Sequence, residues 1–126
     1  MVKRILLFFT SVLISLLVTG CQVQPMHMYK HIPINADSDS EVRKQIEILC
    51  DYQYVRLRDE DEHTLLAFNQ RKGASLKFRI QYSKDEFSID YLDSSGYRYN
   101  GETIHPRYNW IVDYIAKGLN DRFGIK

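Results

Sequence analysis

Apolar residues recur at a helical interval early in the second third of the chain, at Val42, Ile46, Leu49 and Cys50, with Glu41, Arg43, Lys44 and Glu47 on the other side. That spacing predicts a helix that buries one face. Ser38-Asp39-Ser40-Glu41 marks its start as a capping box, the serine oxygen accepting from an orphan backbone N–H and the glutamate reaching back. The period then changes to alternation. Tyr54 to Arg58 and Thr64 to Gln70 read as a hairpin with the acidic run Asp59-Glu60-Asp61-Glu62 at its tip. Leu76, Phe78, Ile80 and Tyr82 alternate with Lys77, Arg79 and Gln81, and Phe87, Ile89 and Tyr91 alternate with Ser88 and Asp90; both are strands buried on one face. Arg71-Lys72-Gly73, Ser83-Lys84-Asp85 and Asp93-Ser94-Ser95-Gly96 supply the turns, and Tyr97 to Tyr99 suggests a brief further pairing.

Pro106 suits the first turn of a closing helix, where its missing N–H has no partner to lose. Trp110, Ile111, Tyr114, Ile115, Leu119 and Phe123 form its apolar stripe, and Gly118 within the stripe predicts close approach to the sheet. The sum is an α+β fold: an antiparallel meander sheet of about four strands, with an N-terminal and a C-terminal helix packed on one face. Arg56, Arg58, Lys77 and Arg79 then share the open face with Ser88 and Asp90.

Ahead of this domain lies a segment of a different kind. Lys3 and Arg4 precede an apolar stretch from Ile5 to Val18, followed by small residues. This is the form of a secretory signal peptide, and it is shorter than the roughly 20 residues a membrane-crossing helix needs. The run Leu17-Val18-Thr19-Gly20-Cys21 resembles the bacterial lipobox. The resemblance implies cleavage before Cys21, loss of residues 1–20, a diacylglycerol on the Cys21 thiol and acylation of the new amine. Gln22 stands where the sorting rule of that family places Asp for retention at the inner membrane, so the resemblance implies the outer membrane, with the domain facing the periplasm. From residue 21 to residue 37 no period is visible and Pro25, Pro33 and Asn35 intervene; this reads as a lipidated tether leading to a domain over 38–126.

Loss of Lys3 and Arg4 with the leader moves the formal charge from +1 to −1. A nucleic-acid partner is therefore not indicated, since such proteins carry a basic excess. With Cys21 lipidated, Cys50 is the other of two cysteines and has no partner for an intramolecular disulfide; on the helix stripe it reads as a small buried hydrophobe.

Met26-His27-Met28-Tyr29-Lys30-His31 combines thioethers and imidazoles that suit copper. Prolines bracket it and nothing fixes its ligands, so no metal and no cofactor is assigned. The acidic run with His63 lacks the glycine and ligand alternation of a calcium loop. No nucleophile with a base and an orienting group is indicated, Cys50 facing a core and His105 preceding a helix, so no catalytic residue is assigned.

The region from Tyr91-Leu92-Asp93-Ser94 to Ile104-His105-Pro106-Arg107-Tyr108-Asn109-Trp110 is similar to a group of small uncharacterised Gram-negative lipoproteins. That group ends in a Tyr/Ser strand, an Ile-His-x-x-Tyr-Asn segment and a Trp-bearing helix; Asn109 and Trp110 are adjacent here, where the group often has a residue between them. The likeness implies fold and location, not a mechanism. Ser94, His105, Tyr108 and Asn109 are polar groups gathered between the last strand and the helix start; capping and orienting that junction is their favoured reading over a ligand pocket, and with Arg56 and Arg79 they are the candidate binding residues. The expected function is a non-catalytic interaction module held to the membrane by its N-terminal lipid, with an envelope protein or polymer as partner. A small-ligand or metal-binding lipoprotein is the alternative.

Overall fold

Within residues 23–126, which the computed structural model describes, the apolar spacing of Val42 to Cys50 becomes helix α1 (Asp39–Tyr52). The segment read as a leader, the expected lipidation residue Cys21 and Gln22 lie outside the described residues. Ser38 caps α1 as its sequence predicts, its Oγ accepting from the Glu41 N–H at 3.2 Å, while Glu41 accepts from the Asp37 N–H rather than that of the cap.

Four strands follow as a meander: β3 (Arg56–Asp61), β4 (Thr64–Arg71), β5 (Ala74–Tyr82) and β6 (Glu86–Ser95). Helix α2 (Pro106–Phe123) closes the chain. The acidic run is not a hairpin tip. Asp59 and Asp61 pair with Leu65 and Thr64 across the hairpin, leaving Glu62 and His63 as the turn. Their charges are tolerated because β3 is an edge strand.

The largest departure from the sequence reading lies before Ser38. The segment read as a tether is built into the fold from Gln24 onward, so the domain starts well before residue 38. Two elements occupy it. Strand β1 (Gln24–Pro25) pairs with β7 (Thr103–Ile104), and β2 (Tyr29–Pro33) joins the sheet beside β6, giving five antiparallel strands in the order β2-β6-β5-β4-β3. Backbone N–H groups of Met26, Ile34, Asn35 and Ala36 then bond to carbonyls of Glu102, Asp85, Phe123 and Lys84. Pro25 and Pro33 fit because each lies on an outer strand, where a missing N–H costs no ladder bond. The brief pairing expected at Tyr97 to Tyr99 occurs instead at Thr103–Ile104, while Tyr97 is buried.

With β2 at one edge and β3 at the other, α1 spans the sheet between them. Both helices feed one core: Val42 and Ile46 from α1, Ile111 and Ile115 from α2, and Phe78 and Ile80 from the sheet are all essentially inaccessible. The stripe of α2 is rotated from the predicted one. Tyr108, Asn109, Val112 and Ala116 turn inward, whereas Trp110 and Tyr114 are exposed. Gly118 also has a different neighbour from the one expected: a Cβ there would sit 2.3 Å from Leu49 Cδ2, so the glycine lets the two helices meet rather than helix and sheet.

Gly118→Val drives a side chain into Leu49 and is expected to destabilise the domain by about 1–3 kcal/mol, the usual cost of overpacking. Chemical denaturation measures it; an unchanged midpoint contradicts the close helix contact.

Candidate functional site

Strand alternation places one set of side chains on the face of the sheet away from the helices, and the ladder registers order them in rows. The first row runs Arg56, Phe68, Lys77, Asp93; the second runs Arg58, Leu66, Arg79, Asp90. The Arg58 guanidinium lies 5.4 Å from the centre of the Phe68 ring and the Lys77 ammonium 5.7 Å from it, both within cation–π range. Charge on this face divides into used and unused groups. Arg79 reaches Glu60 at 3.3 Å, and Lys30 pairs with Asp90. Arg56, Arg58 and Lys77 form no ion pair among the described residues. Of the two arginines singled out by sequence, Arg56 is thus available and Arg79 is already engaged.

The first row runs into a cleft of about 990 Å³ lined by Tyr52, Tyr54, Val55, Arg56, Phe68 and Gln70, together with Asp51. Its shape depends on how α1 ends. Tyr54 adopts φ 56° and the Val55 N–H returns to the Cys50 carbonyl at 2.9 Å, a left-handed helix stop that usually takes glycine. A tyrosine there holds a sparsely populated conformation, at a cost of order 1–3 kcal/mol. Its side chain is 85% exposed, so no burial of the ring offsets that cost. The buried Asn69 amide fixes the stop from below. Its Nδ2 donates to the carbonyls of Gln53 and Tyr54, each at 3.2 Å, and its Oδ1 accepts from the buried Tyr97 hydroxyl at 3.4 Å. Sequence reasoning missed Tyr52, Tyr54, Phe68 and Asn69; the available signal was a helix ending in Tyr52-Gln53-Tyr54, two aromatics in three positions and no glycine.

The four junction residues do not converge. Ser94 Oγ bonds to the Tyr91 hydroxyl at 2.6 Å and lines a shallow cleft of about 370 Å³ with Tyr91, Tyr97 and Tyr99. His105 is the N-cap of α2, its Nδ1 accepting from the Arg107 N–H at 3.1 Å. Tyr108 is buried edge-on to Phe78 and Tyr91, and burial pushes its phenol above the ordinary value. Asn109 is buried with its Nδ2 on the Pro25 carbonyl at 2.9 Å and its Oδ1 taking the His27 N–H at 2.8 Å. Each has a separate packing or capping task.

The Met26 to His31 segment is likewise divided among partners. His27 bonds Asp113 at 2.8 Å, Tyr29 donates to the same carboxylate at 2.5 Å, and His31 bonds Glu86 at 2.7 Å. Burial, with Asp113 beside it, raises the Tyr29 hydroxyl above its ordinary value. His63, at the β3–β4 turn, meets Asp39 at 2.8 Å; the pair raises the imidazole and lowers the carboxyl. Cys50 is buried and its thiol is pushed up to about 12 by burial, which holds it protonated. Among the described residues no group of three or more His, Cys, Asp or Glu could hold a metal ion, and no helix is long and apolar enough to cross a membrane. Comparison with protein families, curated proteins and solved structures finds no match for this chain.

Asn69→Ala removes the support of the cleft and strands the Tyr97 hydroxyl. A loss of about 1–3 kcal/mol is expected in urea unfolding, the cost of an unsatisfied buried polar group; retention of full stability would show that Asn69 does not hold the helix stop.

Proposed function

We propose that this chain is an outer-membrane lipoprotein, acylated at Cys21, whose periplasm-facing domain is a non-catalytic binding module for an envelope protein or polymer bearing acidic groups. The observation that carries the reading is the uncommitted trio Arg56, Arg58 and Lys77 around the Phe68 ring, continuous with the Tyr52/Tyr54 cleft. Cations without an ion pair among the described residues, on an open sheet face, attract an acidic surface and set its register. Exposed aromatic rings beside them add apolar contact area with few rotamers to freeze. The anchor rests on the basic, apolar and small-residue run ending at Cys21 and on its likeness to the lipobox.

Affinity purification of the acylated chain after crosslinking in intact cells tests the proposal. The double variant Arg56→Glu, Lys77→Glu is expected to lower partner recovery about tenfold, equivalent to about 1.4 kcal/mol, and raising the salt should weaken the wild-type interaction. Partners retained in full by the double variant would place the interface elsewhere, and a bare Cys21 thiol in the mass spectrum would remove the anchor.

A further inference from the structure

The lipid and the fold are separated by very little chain. Gln24 is the third residue after Cys21, and it is already paired with Ile104 and bonded through its side chain to Asn109. Three residues extend at most about 10–11 Å, which is less than the radius of gyration of about 13 Å expected for a domain of this size. An acyl chain seated in the bilayer at Cys21 therefore leaves no room for the domain to stand away from the headgroups. The side on which Gln24 leaves the fold must face them.

That side carries the chemistry a lipid interface takes. Trp110 follows Asn109 directly, is the single tryptophan of the chain and is 74% exposed. Tyr114, one helical turn on, is exposed beside it, and Met28 is 64% exposed on the segment that Asn109 and Asp113 hold against α2. Tryptophan and tyrosine concentrate at headgroup level because their rings are apolar with a polar edge. Arg107 precedes them on α2 and forms no ion pair among the described residues, leaving a cation for lipid phosphate.

We infer that the N-terminal half of α2, with Trp110 and Tyr114, is a membrane-docking face held against the bilayer by the three-residue connection to the lipidated Cys21. This inference rests on the acylation proposed above. It deepens that reading, because the basic open face of the sheet lies across the core from α2 and is turned toward the periplasm when α2 meets the membrane.

Trp110 is its own probe. The mature protein purified from cell membranes is reconstituted into vesicles of phosphatidylethanolamine and phosphatidylglycerol, with and without lipids brominated near the acyl carbonyl. Expected are flotation with the vesicles, a blue-shifted emission, severalfold protection from acrylamide and strong quenching by the brominated lipids. A protein that floats but keeps a water-exposed, unquenched Trp110 overturns the docking face and leaves the acylation standing. A protein that neither floats nor carries lipid on Cys21 overturns both, and mass spectrometry of the same sample identifies that outcome.

Discussion

One buried carboxamide ties the start of the domain to its last helix. Asn109 offers both ends of its amide to the N-terminal segment, accepting the His27 N–H and donating to the Pro25 carbonyl and the Gln24 side chain. Each such bond contributes only about 0.5–1.5 kcal/mol net, but leaving one of these groups buried without a partner costs about 1–3 kcal/mol. The segment cannot lift away cheaply. Its attachment fixes β1 against β7, sets the entry of β2 at the sheet edge beside β6 and brings the chain to the surface three residues from Cys21.

The open sheet face and the α2 flank follow from the same arrangement. Because β2 occupies one edge and β3 the other, α1 and α2 share the face between them, and Gly118 lets them meet at Leu49. Among the described residues no helix covers the opposite face. There Lys30, brought in by β2, engages Asp90, and Glu60 engages Arg79, so charge is settled at Asp90 and Arg79, while Arg56, Arg58 and Lys77 have no ion pair among the described residues. The proposed binding surface on one side and the proposed membrane-facing flank on the other are the two faces of one core.

Local periodicity made much of this legible. Val42, Ile46, Leu49 and Cys50 all proved buried, as did Leu76, Phe78, Ile80 and Tyr82, and the serine cap at Ser38 holds. The open-face rows also followed from alternation, because a strand has only two sides. What stayed hidden depends on contacts between distant parts of the chain. Residues 24–36 contain two prolines and a left-handed His31, and their partners, Asn109, Ser88 and Asp85, lie more than fifty positions away. No local pattern records such bonds. The same cause misled the reading of α2, where hydrophobicity ranks Trp110 above Asn109 for burial; only the backbone of His27 and Pro25 makes the asparagine the better inward residue. In the site, Arg56 and Arg79 look equivalent in sequence, and the pairing of Arg79 with Glu60 distinguishes them only once β3 and β5 are folded together. The cleft was invisible because its shape comes from the left-handed Tyr54 and the amide of Asn69 beneath it.

Hydrogen exchange read by NMR tests most directly whether the segment after Cys21 belongs to the fold. The account predicts that the amides of Met26, His27, His31, Ile34, Asn35 and Ala36, all bonded across the structure, exchange far more slowly than in an unstructured peptide and open together with the first strand residues. Exchange at unstructured rates through residues 24–36, with α1 and β4–β6 still protected, would make the segment a free tether and contradict the account.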